Sequence, residues 1–64
     1  MKYASGEKPR IGDVVECVVP VWRVMLNQIF EVRTTGAECL FLSDGSYGTY
    51  MINAKRFVFI GRID

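Results

Sequence analysis

The side chains that most often carry out catalysis are scarce in this sequence. It contains no histidine, and neither a serine nor a cysteine lies beside a residue that would serve as its general base. Glycine-rich phosphate loops and metal-ligand spacings are also missing from the sequence. The carboxylates that could form an acid–base pair are Asp13, Glu16, Glu31 and Glu38. We interpret them as exposed strand positions that keep sheet edges soluble, and we expect a protein that is not an enzyme.

The two thiols, Cys17 and Cys39, are the next candidates for chemistry. Two thiolates without any histidine cannot complete a tetrahedral zinc site, so we expect neither a metal nor another cofactor. Both cysteines lie inside predicted strands, and two are few for a secreted disulfide scaffold. We interpret them as free, buried thiols, with a disulfide between them as the alternative. This pattern predicts a reducing cytoplasm as the location.

An apolar stretch around Trp22 is the best candidate for a binding surface. Trp22 is followed by Arg23 and Met25 in a segment that fits neither strand alternation nor a long helix. These three residue types are enriched at protein interfaces, whereas loops normally present polar residues to water. Two interpretations stay open. Trp22 either forms an exposed patch with Met25, or folds back and caps one end of the core.

Two tyrosines near a predicted hairpin extend this candidate surface. Tyr47 lies close to the hairpin tip, where we expect it to be exposed. Tyr50 is either part of the same surface or points inward, with its ring packed on Phe57. The candidate partner-binding residues are Trp22, Arg23, Met25, Tyr47 and Tyr50.

A local group of basic residues makes single-stranded nucleic acid the alternative ligand. The candidate phosphate contacts are Arg10, Lys55 and Arg56, and small barrels bind single strands by stacking bases on aromatic rings beside basic grooves. Adjacent basic residues are also common at solvated corners, and Arg56 before Phe57 suits a structural ion pair equally well. The net charge of +1 provides no global field for nucleic acid or an anionic membrane, and no apolar run could span a bilayer. We therefore expect a protein partner, including a second copy of the chain, ahead of nucleic acid.

These residues must be positioned by one small domain, because 64 residues leave no room for a second. Half of the residues are hydrophobic, which is far from the composition of a disordered chain. The polar segment 1–10 predicts a flexible N-terminal arm, whose single aromatic residue, Tyr3, would be the one to dock. The domain itself is predicted over residues 11–64.

Five short strands are predicted in this domain. The first ends before Pro20, with Val15, Cys17 and Val19 on its core face, and leads into an excursion loop that Asn27 closes. In the second strand Phe30 and Val32 alternate inward. In the last strand, residues 57, 59 and 61 face one side and residues 58, 60 and 62 the other. A single 3₁₀ turn is predicted over residues 53–56, before the last strand.

The third and fourth strands are predicted as a hairpin over residues 39–52. Asp44-Gly45 is typical of a two-residue type I′ turn, because both residues tolerate positive φ. This turn pairs Leu42 with Tyr47 and Cys39 with Tyr50. Both faces of the resulting hairpin are apolar, so alternation does not choose the core side, and the second face could receive a partner or another copy.

Several segments together resemble a known family. They are residues 12–18, residues 26–32, the Asp44-Gly45 pair, Tyr50 and the Arg56-Phe57 pair. From Gly12 onward the chain resembles small SH3-like barrel proteins that are common in bacteriophage genomes and in some bacteria. The family more often has glycine at the position of Asn27 and tyrosine at that of Phe30. The resemblance implies an all-β, five-stranded SH3-like barrel, but it says little about activity, because similar barrels bind peptides, nucleic acids and other proteins. Our hypothesis for the function is a phage-encoded binding module that binds a host protein and modifies or inhibits its activity.

Overall fold

The computed structural model describes residues 1–21, 24, 26–36, 39–43 and 50–62, except for the side chains of residues 41, 50 and 51. The elements are β1 (Asp13–Cys17), β2 (Ile29–Thr35), β3 (Cys39–Ser43), β4 (Tyr50–Asn53), a 3₁₀ turn (Ala54–Arg56) and β5 (Phe57–Arg62). They form one antiparallel sheet in the order β4-β3-β2-β1-β5, which curls into half of a barrel. The prediction of an all-β protein with a 3₁₀ turn before the last strand is confirmed.

Strand β1 turns its odd-numbered residues into the core. Val15 and Cys17 are fully buried, as predicted, but Val19 is 47% exposed. The prediction for Val19 is wrong because β1 ends at Cys17, whose backbone bonds the carbonyl of Gln28 and the N–H of Asn27. Past that point the chain bends into the β1–β2 loop (residues 18–28), and the strand alternation stops. Asn27 closes the loop with a φ of 68°, in the left-handed region that was expected for it.

The centre of the core is aromatic. Phe30 and Val32 of β2 are buried, as predicted, and the ring of Phe30 meets that of Phe57 edge to face, with 5.9 Å between centroids. Val24 adds an apolar contact that the sequence does not predict, since it lies within the β1–β2 loop and is 1% exposed. A β-bridge between Val21 and Val24 fixes this part of the loop.

The register of the β3–β4 hairpin differs from the predicted one. Leu42 pairs with Tyr50, not with Tyr47, and Leu40 pairs with Ile52. A two-residue turn at Asp44-Gly45 would not give this register, so the predicted pairing is wrong. The observed pairing differs from the predicted one by three residues, and a shift by an odd number turns the other face of β4 to the core. It places Ile52 on the core face, where it packs against the buried cluster.

The core side of the hairpin is now defined. Leu40 and Leu42 are fully buried, so their face of β3 is the one that packs on the core. The residues of segment 44–49, with the predicted turn, lie outside the described part of the chain.

Strand β5 contains a bulge against β1. Ile60 has no partner in the register with β1, and the register shifts at this position. A bulge reverses the alternation beyond it, which brings Arg62 to Asp13 of β1. The prediction that Arg62 lies on the opposite face from Phe57 and Phe59 is therefore wrong.

The N-terminal segment docks on β5. Ala4 donates its backbone N–H to the carbonyl of Phe57 at 2.8 Å, and the Ser5 hydroxyl accepts from the N–H of Phe59 at 3.0 Å. Tyr3 is buried and its ring stacks on Phe59 with 6.3 Å between centroids. Because β5 is an edge strand, these bonds satisfy backbone groups that would otherwise be open to another chain. Tyr3 is thus the residue by which this segment docks.

Candidate functional site

The β1–β2 loop and the 3₁₀ turn border a surface concavity of about 360 Å³. Its described lining residues are Val19, Asn53, Lys55 and Arg56. We call it the 3₁₀ concavity. The sequence predicts Lys55 and Arg56 as candidate contacts, whereas it predicts that Asn53 belongs to the turn and Val19 to the core.

The 3₁₀ turn is held in place at both ends. Asn53 precedes it, and its Oδ1 atom accepts the backbone N–H of Lys55 at 2.9 Å. At the other end Phe57 donates its backbone N–H to the carbonyl of Ala54. Ala54 is fully buried and anchors the turn on the core. The exposed side chain of Lys55 therefore projects from a backbone that is fixed by capping and burial.

Arg56 ties the β1–β2 loop to the 3₁₀ turn. Its Nη1 atom donates to the carbonyl oxygens of Val19 at 3.5 Å and Pro20 at 3.2 Å. The carbonyl of Arg56 in turn accepts the N–H of Val18 at 2.8 Å. The ion pair considered for Arg56 is not formed in the described part of the chain, where the arginine bonds backbone carbonyls instead.

The 3₁₀ concavity combines positive charge with an apolar wall. Lys55 and Arg56 contribute two cationic groups, and its described lining contains no carboxylate. Val19, which is half exposed, contributes the apolar wall. Such a lining can hold an anionic group beside an aliphatic one.

Exposed apolar residues also mark the two ends of the β1–β2 loop. Val19 lies two residues after the end of β1, while Leu26 and Ile29 flank the start of β2, with exposures of 57% and 45%. Single exposed apolar side chains are common, but a group around one loop is typical of an interaction surface.

Most of the predicted partner-binding residues lie outside the described part of the chain. This applies to Trp22, Arg23, Met25 and Tyr47. Tyr50 lies in β4 as the register partner of Leu42, and its side chain is likewise outside the description. In the sequence, positions 22 and 23 lie between Val21 and Val24, which form a β-bridge in the β1–β2 loop.

Arg10 does not join the other candidate phosphate contacts. It lies next to the start of β1, where its backbone N–H donates to Oδ2 of Asp13 at 2.8 Å. Arg56 lies by the far end of β1, since Cys17 pairs with Phe57. The strand between Asp13 and Cys17 separates these ends by about 13 Å, at ~3.3 Å a residue. The structure therefore brings Lys55 and Arg56 together and leaves Arg10 apart.

Asp13 is buried, which corrects its interpretation as an exposed strand residue. Its carboxylate accepts bonds from the Tyr3 hydroxyl at 2.7 Å, the Arg10 N–H at 2.8 Å and Nε of Arg62 at 2.9 Å. We call these four residues the Asp13 network. The signal that could have placed Asp13 inside is its position on the core face of β1, in alternation with Val15.

The Asp13 network shifts the pKa of both its acidic groups. Burial alone would raise the pKa of Asp13, but the bonds from Tyr3, Arg62 and Arg10 and the charge of Arg62 outweigh it and lower that pKa. Burial, and then the hydrogen bond to the Asp13 carboxylate and its charge, raise the pKa of Tyr3 above its ordinary value. The folded state therefore favours an ionised Asp13 beside a neutral Tyr3.

The other groups considered for chemistry are dispersed. Glu16 and Glu31 are half-buried on β1 and β2, and Glu31 accepts from Arg33 at 3.3 Å, whereas Glu38 lies outside the described residues. Cys17 is buried and Cys39 half-buried, and both are free thiols. No cluster of three potential metal ligands occurs among the described residues. Within the same residues, no helix has the length and apolar character needed to cross a membrane.

Comparison with known proteins finds no match among protein-family models, curated proteins or solved structures.

Proposed function

We propose that the chain is an SH3-like barrel that acts as a non-enzymatic binding module, and that its ligand is a protein. The observation that carries the proposal is the 3₁₀ concavity, a site of about 360 Å³ bordered by the β1–β2 loop and the 3₁₀ turn. Its volume lies in the lower part of the range of ligand sites, ~300–1,000 Å³. The curled sheet and the strand order support the barrel.

The described residues of the β1–β2 loop are held in place before any partner arrives. Arg56 bonds the carbonyls of Val19 and Pro20, and Val24 inserts into the core from the middle of the loop. A loop that is ordered in advance loses less conformational entropy on binding. Val24 supplies a core anchor for the loop, and in this proposal Trp22 and Met25 contribute to the binding surface.

Different residues would make the apolar and the charged contacts with the partner. Trp22, Met25 and Tyr47 would bury apolar area, at about 1.5–3 kcal/mol for each large side chain. Arg23 and Lys55 would set the orientation and the encounter rate through their charges. The proposed partner is a protein of the bacterial host of a phage that encodes this chain, and binding modifies or inhibits the activity of that protein.

Affinity capture from a bacterial lysate tests this proposal. The wild-type chain should retain a defined protein, and Trp22→Ala should lose it while keeping a cooperative unfolding transition. A Trp22→Ala chain that unfolds would place Trp22 in the core. A folded Trp22→Ala chain that retains every wild-type partner would exclude the loop as the site.

Single-stranded nucleic acid is the second candidate, favoured by the adjacent cations of Lys55 and Arg56 on one concavity. Titration with oligonucleotides at low and moderate salt separates it from the first. Binding that is strong at low salt and falls steeply as salt is added would support phosphate contacts. The absence of binding at low salt would exclude them.

A further inference from the structure

Among the residues that the structure describes, the charges of the 3₁₀ concavity have no carboxylate partner. Arg33 and Arg62 are each paired with a carboxylate. Within the described part of the chain, neither Lys55 nor Arg56 has such a partner, although the two are adjacent in sequence and line one site. Two neighbouring cations without a counter-charge favour an anionic ligand.

Arg56 is oriented for a carboxylate. Both of its bonds to loop carbonyls come from Nη1, which leaves the donors on Nε and Nη2 outside those bonds. These two nitrogens form one edge of the guanidinium plane, and a carboxylate can accept from such an edge through both oxygens. The loop carbonyls hold the plane in place, so less side-chain entropy is lost when an anion binds.

The apolar wall restricts what accompanies the anion. Val19 is 47% exposed and borders the same concavity, next to the basic side chains. A ligand that places an aliphatic group against Val19 and an anionic group against Lys55 and Arg56 would satisfy both parts of the lining. An acidic residue beside a leucine, isoleucine or valine in a peptide has this chemistry.

A nucleic acid fits the described site less well. Single-strand binding combines a basic groove with aromatic rings that stack on bases, and the described lining contains no aromatic residue. The third candidate phosphate contact, Arg10, lies toward the other end of β1, about 13 Å away along the strand. Two cations and one aliphatic wall suit one or two carboxylates better than a phosphate backbone.

We infer that the partner presents an acidic peptide segment, with a carboxylate beside an aliphatic side chain, to the 3₁₀ concavity. The inference rests on the proposed function and gives the chemistry of the partner at that site. It identifies Lys55 and Arg56 as specificity-determining residues for a carboxylate.

Selection from a random peptide library displayed on mRNA, with the full chain as bait, tests the inference. Enriched peptides should contain Asp or Glu next to Leu, Ile or Val, above their frequency in the unselected library. A synthetic copy of the most enriched peptide should bind Lys55→Gln about tenfold more weakly than wild type. It should bind Arg10→Gln, which makes the same charge change away from the concavity, with unchanged affinity.

Three results would overturn the inference in different ways. Enriched peptides without acidic residues, or with equal affinity for Lys55→Gln, would refute the acidic ligand and leave the protein-binding proposal standing. A selection that enriches no peptide, together with a lysate capture that retains no protein, would refute both. Oligonucleotide binding that both Lys55→Gln and Arg10→Gln weaken would replace the peptide by nucleic acid. Equal unfolding midpoints for these two variants and wild type would show that folding is not the cause.

Discussion

Removing the hydroxyl of Tyr3 tests the Asp13 network with a single atom. Tyr3→Phe keeps the ring that stacks on Phe59 and deletes the donor that lies 2.7 Å from the Asp13 carboxylate. Asp13 is completely buried, so water does not replace the lost donor without rearrangement. A hydrogen bond to a charged group contributes about 1.5–3 kcal/mol, and we expect the variant to lose about 2 kcal/mol of unfolding free energy.

That loss is large for this chain. A domain of this size has an unfolding free energy of about 3–10 kcal/mol, so ~2 kcal/mol is a measurable fraction of the total. In urea, with a slope of about 1 kcal/mol per molar for a small protein, the midpoint should fall by about 2 M. The slope itself should stay the same, because the variant exposes the same surface on unfolding.

The hydrogen bond from Tyr3 to Asp13 should also change how the unfolding free energy depends on pH. The folded state raises the pKa of Tyr3, so above about pH 10 the unfolded chain loses this proton while the folded chain keeps it. Wild-type stability should therefore fall with rising pH by up to ~1.4 kcal/mol per unit from this group, and Tyr3→Phe should lack that component. The wild-type advantage of about 2 kcal/mol should vanish roughly 1.5 pH units above 10. A difference between the two chains below 0.5 kcal/mol at neutral pH, or one that is constant across the alkaline range, would refute the reasoning.

Three further perturbations test other parts of the account. Because the folded state lowers the pKa of Asp13, the stabilisation by its carboxylate is present above about pH 4 and is lost as the pH falls below that value. Urea titrations at several acidic pH values should therefore show a smaller loss of stability in Asp13→Asn than in wild type. An equal loss in both chains would contradict the lowered pKa of Asp13. Gly12 has a φ of 93°, so Gly12→Ala should lower the unfolding free energy by about 1–2 kcal/mol. In Gly61→Ala the added methyl group meets nothing within 4 Å, and the loss should be under ~0.5 kcal/mol. Equal losses would show that the backbone of Gly12 is not strained by a side chain. Val24→Ala should lower thermal stability by about 2 kcal/mol and Val19→Ala by much less, and the reverse order would show that the loop is not anchored as described.

The parts of the fold that depend on local sequence could be predicted. Phe30 and Val32 alternate within a β-branched strand, and their burial follows from that alternation. Asn27 is one of the few residue types that adopt positive φ readily, and the 3₁₀ turn over Ala54–Arg56 fills a gap too short for an α-helix. In each case the determining interactions lie within a few residues.

The parts that were mispredicted depend on distant partners. Asp13 can be buried because Tyr3 and Arg62, which are distant from it in sequence, donate hydrogen bonds to its carboxylate. The local sequence around Asp13 does not predict these donors. The bulge at Ile60 places Arg62 there and is not visible in the strand alternation. In the hairpin, the local Asp-Gly signal predicts a different register from the one observed, which pairs Ile52 of β4 with the buried Leu40 of β3 and packs Ile52 on the core.

Some residues of the candidate site can likewise be predicted from the local sequence, whereas others cannot. The sequence identifies Lys55 and Arg56 because adjacent basic residues beside a 3₁₀ turn are recognisable. It does not identify Val19, which belongs to the site only because β1 ends two residues earlier, at Cys17. Nor does it separate Arg10 from the other two cations, since that depends on the pairing of β1 with β5.

An amide chemical-shift map of the isotope-labelled chain, recorded as the captured protein or the enriched peptide is added, would show whether the ligand binds at the 3₁₀ concavity. We expect large changes at Val19 and over residues 53–56, and smaller ones in Lys55→Gln at the same, subsaturating ligand concentration. Changes concentrated around Arg10 and Arg62, with none at the 3₁₀ turn, would contradict the claim that the 3₁₀ concavity is the binding site.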